Sequence, residues 1–445
     1  MTSETIYPPP PGPPPNHSAV VYAPPPGPPP PPQGQPQPLL PANFPHLSPS
    51  QTYSLATQGY TTFPLAERPT LYDAVSSLFR ESRSFFAQPQ TVKGQFQVLA
   101  ANAQGSEEGW SRVVGEKELL TLRRGGVSCP STLESHGKAL WEECGKLMQE
   151  MIRGVEQSLG LPSGALDDIV TPECTMPGAG ADRVETLLRM FRYERRSEAD
   201  DAAAPHDEAN GKGRLVSEPH RDLGLFSLVV GATPGLEVLD STAGVWVPIE
   251  QPPYAGPGLT ATLLVGETLS RLTNGRYSPG RHRVFVPSVP SSLPSTDDLR
   301  YRYSLVFALR PHASAVISTP ALTTPVTGVF HSALIDMRAG ELFAAIARSR
   351  WNVNAAHKAR ETQRMKLQNG IKSNTPPIPN DTHQDAEENS DRPNTSSGLP
   401  VDGEQSTSRS MAQRKSRWSL PILNVSQVSE ESPRRRRWPF FKLVS

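Results

Sequence analysis

The chain has few cysteines, no long apolar run and no net charge. Each of these absences argues against some classes of protein. Three cysteines, an odd and sparse number in 445 residues, provide no disulfide framework and indicate a reducing compartment. No apolar run approaches the roughly 18 residues that a membrane span needs. Because 44 basic residues balance 44 acidic ones, net charge gives no argument for a nucleic-acid partner. The N-terminus lacks a basic region followed by an apolar stretch, so we expect no secretory signal and a cytoplasmic location.

Proline, in contrast, is abundant, with 49 residues, many of them in the first 50 positions. Residues 1–50 contain the runs PPPPGPPP and PPPGPPPPP. Such runs fix φ and lack backbone donors, so they predict a disordered, Pro-rich segment in the extended polyproline II conformation. We interpret it either as a flexible spacer or as a ligand for an SH3-, WW- or profilin-type partner.

The other end of the chain, residues 371–445, is also polar. Its first part has almost no large apolar residue and predicts disorder. Its last part is basic and aromatic, with RKSR at 414–417 and RRRR at 434–437. These clusters suit a solvated tail, a nuclear import signal, a nucleic-acid patch or an anchor on a membrane surface. A nuclear or membrane-associated location is therefore the alternative to a cytoplasmic one.

Between the two ends, two segments have the apolar periodicity of helices that pack on a core. One face of the first is formed by Leu71, Val75, Leu78, Phe79, Ser82 and Phe86. One face of the second is formed by Leu140, Trp141, Cys144, Leu147, Met148, Met151, Val155 and Leu159. Gly160 follows the second face as the expected C-cap, and a last helical stretch begins near residue 337.

After residue 185 the pattern changes to short runs rich in Val, Leu and Phe, separated by turns. LFSLVV, LTATLLV and YSLVFAL are examples, and ATPG, PPYAGPG and NGRYSPG are turns between such runs. This alternation of apolar runs with Gly and Pro predicts an antiparallel β structure of sandwich or barrel type.

Within the β region, His220 and Asp222 lie two positions apart at the start of an apolar run, and His282 follows in GRHRVFVP. In an extended strand, residues i and i+2 point to the same face, so an imidazole and a carboxylate can reach one metal ion. Two histidines and one carboxylate on one face leave three coordination positions open, a pattern typical of non-haem iron(II) oxygenases. A lone H-x-D is a weak signal, but here it is followed by LEVL, a Trp-containing run, TNGRY and HRV.

With these motifs, residues 59–315, and most clearly 218–309, resemble the 2-oxoglutarate- and iron-dependent dioxygenases of the isopenicillin N synthase-like superfamily. The resemblance implies a mainly β fold with flanking helices around a double-stranded β-helix, or jelly roll. It implies that His220, Asp222 and His282 bind Fe(II). It also implies three parts of the chain: an N-terminal helical and strand part at 51–185, the jelly-roll core at 186–320, and a C-terminal helical extension at 321–370.

The same resemblance implies roles in binding 2-oxoglutarate as cosubstrate. Arg302 and Ser304 match the family's Arg-x-Ser, which holds the distal carboxylate, and Tyr193 matches a tyrosine that touches the cosubstrate. An arginine fork suits a carboxylate, and a serine hydroxyl adds a hydrogen bond. Arg300, two positions before Arg302, has no serine two positions after it. The stretches from Tyr193 to His220 and from His282 to Arg302 are longer than is usual in the family, which we interpret as enlarged loops.

The activity that the resemblance implies is the oxidation of a small organic substrate by dioxygen, with release of succinate and carbon dioxide, in a monomeric enzyme. No residue beyond the metal centre is expected to be catalytic. One alternative is an iron oxidase of the same fold that uses no 2-oxoglutarate. Another is a non-catalytic scaffold that works through its Pro-rich and basic tails. The fold leaves the substrate undetermined.

Overall fold

Two amphipathic helices cover one side of the molecule, as the sequence periodicity predicts. Helix α2 spans Pro69–Ala87 and buries the predicted apolar face. Helix α4 spans Ser131–Leu159 and likewise buries its predicted face, including the Cys144 side chain. Gly160 follows α4 with a φ of +65°, a left-handed conformation that glycine adopts at low cost because it has no Cβ. Both helices and the C-cap are therefore confirmed.

The computed structural model describes residues 36–45, 47–98, 107–126, 129–198, 213–252, 258–292 and 296–371. Most of the predicted Pro-rich segment and the whole basic-aromatic end thus lie outside the described residues. Part of the range predicted as Pro-rich and disordered is packed, because Phe44 is buried and a Cβ at Gly154 would lie 2.7 Å from its ring. No helix in the described part of the chain is long and apolar enough to cross a membrane.

The remaining helices are shorter. They are α1 Pro49–Thr57, α3 Gln90–Lys93, α5 Glu267–Leu272, α6 Asp297–Arg300, α7 Ala339–Arg348 and α8 His357–Ile371. Single 3₁₀ turns occur at Leu65–Glu67, Gly94–Phe96, Thr171–Glu173 and Thr319–Leu322. The helix expected near residue 337 is α7, and α8 lies in the range 321–370, where the resemblance implies a C-terminal helical extension.

Strands form two antiparallel sheets that enclose the centre of the molecule. The large sheet has the order β1-β9-β6-β11-β4-β3-β2 and the small sheet the order β5-β10-β7-β8. The strands of the large sheet are β1 Tyr60–Pro64, β2 Gly109–Val113, β3 Lys117–Leu122, β4 Leu187–Glu194, β6 Phe226–Gly231, β9 Thr260–Val265 and β11 Tyr301–Leu309. Those of the small sheet are β5 Gly213–His220, β7 Leu236–Asp240, β8 Val245–Val247 and β10 His282–Pro287. A separate two-stranded pair joins β12 Val316–Ile317 to β13 Met337–Arg338.

Between β4 and β11 the chain passes back and forth from one sheet to the other. Strands β4, β6, β9 and β11 lie side by side in the large sheet, and the other four strands of this region form the small sheet. This order is the topology of an eight-stranded jelly roll. The predicted fold class, a jelly-roll core with flanking helices, is therefore confirmed.

Alternation along the strands divides the core into two layers. In β4, Leu188 and Met190 pack toward the helices, whereas Phe191 and Tyr193 pack between the sheets. The layer under the helices contains Trp141, whose ring meets Phe307 edge to face at a centroid distance of 5.3 Å. Each large apolar side chain buried in this way contributes about 1.5–3 kcal/mol. The inner layer is smaller, and polar side chains reach it from both sheets, which positions the site described next.

Candidate active site

Two paired strands of the small sheet bring the predicted metal ligands together. His220 is the last residue of β5, and its register partner in β10 is His282, the first residue of that strand. Asp222 lies two residues beyond His220, in the turn that leads into β6. All three side chains therefore emerge at the same end of the small sheet.

The ligand atoms of these three residues converge. Asp222 Oδ1 lies 3.7 Å from His220 Nε2 and 3.9 Å from His282 Nε2. The two imidazole centroids are 4.2 Å apart. Within the described residues, this is the group of three His, Cys, Asp or Glu side chains whose ligand atoms all lie within 4.8 Å of one another.

Backbone carbonyls orient both imidazoles. His220 Nδ1 lies 2.7 Å from the carbonyl oxygen of Glu218, and His282 Nδ1 lies 3.2 Å from that of Gly280. With the proton on Nδ1, each ring donates to its carbonyl and turns the Nε2 lone pair toward Asp222. This second hydrogen bond is the usual way in which a protein fixes the tautomer of a metal-binding histidine. The donor set and its orientation therefore fit a divalent metal ion.

Burial and neighbouring groups together set the charges of His220 and Asp222. Burial lowers the pKa of His220, and the neighbouring His282 lowers it further, so the ring stays neutral and keeps a lone pair for a metal ion. Burial raises the pKa of Asp222, but His282, His220, the Ser227 hydroxyl and Arg310 together lower it overall. Asp222 is consequently an anionic carboxylate beside the neutral imidazole of His220.

Across the inner layer, Arg302 lies on the large sheet with its side chain fully buried. Its Nε donates to the carbonyl oxygen of Thr233 at 3.0 Å, and its Nη2 donates to both carboxylate oxygens of Glu250 at 3.1 and 2.9 Å. Its Nη1 is buried and has no hydrogen-bond partner among the residues that the structure describes. One nitrogen of the guanidinium is therefore left for a carboxylate of a bound molecule.

The pairing of Arg302 with Glu250 is not evident from the sequence. Glu250 lies beyond β8, and one of its oxygens also accepts the Leu236 N–H at 2.8 Å. Glycine leaves room for the pair, since a Cβ at Gly235 would lie 2.5 Å from Arg302 Nε. Only the fold brings these distant positions together, so the sequence provides no signal for the contact.

Ser304 and Tyr193 lie beside Arg302 on the inner face. Arg302 and Tyr193 are register partners in β11 and β4, and Ser304 is two residues further along β11. The Arg302 guanidinium carbon is 5.4 Å from the centroid of the Tyr193 ring. Burial raises the pKa of Tyr193 to about 12, although Arg302 and Ser304 oppose that shift. Arg300, in contrast, has a side chain that is 56% exposed and lies 3.8 Å from Glu194.

Lys117 is a further buried charge that the sequence analysis missed. Its Nζ donates to the carbonyl oxygens of Val216 at 3.2 Å and Val353 at 3.0 Å, and lies 6.0 Å from the Tyr193 ring centroid. Burial lowers the pKa of Lys117 to about 7. The signal in the sequence is the alternation of β3, because Lys117 shares the inward face with Leu119.

The jelly roll holds two histidines and one carboxylate at one end of the small sheet and a buried arginine on the large sheet. This combination is a candidate site for a metal ion and a carboxylate ligand. No family model matches the chain. A curated relative, the 2-oxoglutarate-dependent dioxygenase frbA of Dothideomycetidae sp. (strain 11243), is 27% identical over 222 residues, which are 49% of this chain and 58% of the relative. The match thus spans less than two thirds of that relative's length. The relative confirms the resemblance to 2-oxoglutarate-dependent dioxygenases that the motifs indicate.

Comparison with solved structures finds similarities at lower sequence identity. A full-length protein of Neurospora crassa, solved in complex with alpha-KG, is 18% identical, with 67% of this chain and 88% of that chain covered and a TM-score of 0.48. JOX2 in complex with 2OG, Fe and JA is 18% identical, with 70% of this chain and 83% of that chain covered and a TM-score of 0.48.

Proposed function

We propose that this protein is an iron(II)- and 2-oxoglutarate-dependent dioxygenase that oxidises a small organic substrate with dioxygen. The observation that carries the proposal is the convergence of His220, Asp222 and His282 on one side of the inner layer. The buried Arg302, with its Nη1 unpaired among the described residues, supports the assignment of 2-oxoglutarate as the cosubstrate. The curated relative supports the same reaction class.

The donor set favours iron. Neutral imidazole and carboxylate are ligands that suit Fe(II), and three protein ligands on one face leave the remaining positions accessible. His220 and His282 would bind through Nε2, because each Nδ1 faces a backbone carbonyl. Asp222 would supply the anionic ligand that partly balances the charge of the metal.

Arg302 would hold the cosubstrate at the other side of the layer. Its Nη1 would donate to the distal carboxylate, the Ser304 hydroxyl would add a hydrogen bond, and the Tyr193 ring would contact the same molecule. Glu250 would keep the guanidinium fixed through Nη2, so that only Nη1 is offered. Iron and 2-oxoglutarate together supply oxidising power through decarboxylation to succinate and carbon dioxide. The protein's contribution is to orient both and to exclude water.

The protein partners and the cellular location depend on the Pro-rich and basic ends of the chain, most of which lie outside the described residues. For the Pro-rich N-terminus we propose an SH3-, WW- or profilin-type partner, and for the basic C-terminus contact with a membrane surface or a nuclear import role. A monomeric enzyme in the cytoplasm is the default proposal. The composition of these segments is what supports each of them.

The test uses full-length protein prepared without metal and then loaded with Fe(II) in the absence of oxygen. We expect visible charge-transfer absorption when 2-oxoglutarate is added, followed by succinate release on admission of air. A metabolite mixture should stimulate that release when it contains the substrate. Oxygen consumption with a substrate but without 2-oxoglutarate would instead identify the cosubstrate-independent oxidase. Absence of both iron binding and oxygen consumption would favour the scaffold.

A further inference from the structure

A second group of buried cations lies on the inner face of the large sheet, away from Arg302. Arg189 belongs to β4 and shares its inward face with Phe191 and Tyr193, which pack between the sheets. Arg123 and Arg310 directly follow β3 and β11, the two strands that flank β4. The guanidinium groups of all three arginines are drawn together by one carboxylate, that of Glu107.

The Glu107 carboxylate lies at hydrogen-bond distance from one of these arginines and farther from the other two. It accepts two hydrogen bonds from Arg310, at 2.8 and 3.1 Å. Its oxygens lie 3.8 Å from Arg123 Nη1 and 3.9 Å from Arg189 Nη2, beyond hydrogen-bond distance. Arg123 has a second partner, Glu185, at 3.0 Å. Arg189 is thus the one of these three arginines whose carboxylate contact, among the described residues, is longer than a hydrogen bond.

The Arg189 side chain donates one hydrogen bond, from Nε, while its two terminal nitrogens donate none to the described residues. Its Nε donates to Thr121 Oγ1 at 2.8 Å, and Thr121 is its register partner in β3. Its Nη1 and Nη2 have no hydrogen-bond acceptor among the described residues, although the side chain is only 11% exposed. Burial lowers the pKa of Arg189, and the carboxylates of Glu107 and Asp222 oppose that shift. Nη1 and Nη2 are therefore donors with which a bound carboxylate can pair.

The position of Arg189 separates it from the cosubstrate end of the layer. Arg302 is the register partner of Tyr193, and Arg189 lies four residues before Tyr193 in β4. At about 3.4 Å per residue, the two backbone positions are on the order of 13 Å apart along the sheet. Beside Arg189, the Phe191 ring offers an apolar surface, with its centroid 5.9 Å from the guanidinium carbon.

We propose that Arg189, supported by Arg310, binds the carboxylate of the organic substrate, so that the enzyme acts on a small organic acid with an apolar body. This inference rests on the proposed function and names the substrate class of the same site. The carboxylate would pair with Nη1 and Nη2 of Arg189, and the apolar body would lie against the Phe191 ring.

The experiment compares acids with their uncharged amides on the full-length protein. Calorimetric binding is measured for benzoate, phenylacetate and hexanoate, each beside its primary amide. At least one acid should bind tenfold or more tightly than its amide. Arg189→Gln should abolish this preference, and Arg189→Lys should restore part of it. Arg153→Gln is the matched control, because Arg153 is an exposed arginine of α4 that pairs with Asp167.

Binding is read without turnover, so the result is separate from that of the proposed function. If every acid binds no better than its amide, or if Arg189→Gln keeps the preference, the proposal is overturned. If the acid preference depends on Arg189 but the iron-loaded protein releases no succinate from 2-oxoglutarate, the organic-acid site stands and the dioxygenase assignment is the part that fails.

Discussion

Asp222 supplies the only carboxylate among the three proposed iron ligands, and it carries the sharpest prediction at the scale of single residues. Asp222→Ala should weaken Fe(II) binding strongly and abolish succinate release, because one of three protein bonds to the metal is lost. The fold should persist, since Asp222 lies in a turn and not in a strand. Iron content after dialysis and far-ultraviolet circular dichroism measure the two effects. His331→Ala, at an exposed histidine, is the control that should retain iron.

Arg302 carries a separate prediction. Arg302→Leu should raise the concentration of 2-oxoglutarate needed for half-maximal turnover by tenfold or more, with little change in iron affinity. The loss of one charge-assisted pair in a buried pocket costs roughly 2 kcal/mol. The same substitution at the exposed Arg300 should leave both constants unchanged. Equal 2-oxoglutarate constants for wild type and Arg302→Leu would contradict the assignment.

Whether a contact between two residues can be predicted from the sequence depends on how far apart they lie along the chain. His220 and Asp222 are two residues apart in a strand end, so their common direction follows from strand geometry alone. Glu250 and Glu107 acquire their roles only through pairing with Arg302 and Arg310, which lie 52 and 203 positions away. No local pattern marks such residues, and the sequence analysis accordingly did not name them.

At the scale of elements, an apolar stripe marks α2, α4 and α7 in the sequence, whereas α8 has no such stripe within the helical extension expected at 321–370. Helix α8 is mostly polar and is fastened by ion pairs. Arg360 donates to Glu116 at 2.7 and 3.1 Å, and Arg364 pairs with Glu218 in β5. Ionic attachment leaves no periodicity in the sequence, because any polar helix can carry the same residues on its solvent face.

Lys117 joins three elements, and its effect is a pH dependence of stability. Its pKa is about 7 in the folded protein and about 10.4 in an unfolded chain. Between these values the unfolded state binds a proton that the folded state does not, so the contribution of Lys117 to stability rises with pH in this window. Below pH 7 the lysine is charged in both states and its burial opposes folding in full.

Lys117→Met should remove that rise. Relative to the variant, the wild type should gain on the order of 2 kcal/mol in unfolding free energy between pH 7 and pH 9. Urea denaturation at both pH values measures it. Lys138→Met, at an exposed lysine of α4, provides the comparison, and parallel pH curves for wild type and Lys117→Met would show that the Nζ is not held in the low-pKa state.

At the scale of the whole molecule, contacts of the described residues near the N-terminus indicate where the chain can be shortened. Leu40 N–H donates to the Ser158 carbonyl oxygen at 2.8 Å, and Phe44 is buried. Truncation to residues 36–374 should therefore give a folded and active protein, whereas a start at residue 51 should lose stability because Phe44 leaves its place beside Gly154. Thermal unfolding and succinate release of the two truncated proteins test this difference.

The same truncation tests the roles of the ends. Loss of residues 411–445 removes both basic clusters and four aromatic residues, Trp418, Trp438, Phe440 and Phe441. A membrane anchor predicts that the protein moves from the membrane to the soluble fraction, with high salt giving part of the same effect. An import signal predicts loss from the nucleus without a change in the membrane fraction. Identical distributions leave the tail as a solvated spacer.

The two walls of the jelly roll carry complementary halves of the proposed site. His220 and His282 are on the small sheet, and Arg302 is on the large one. Iron and cosubstrate held at both walls would tie them together, and a molecule that binds only the folded state slows the opening through which proteases reach a chain. The lifetime of this protein in the cell would then follow its supply of iron and 2-oxoglutarate, so that starvation for either would lower its amount as well as the proposed turnover.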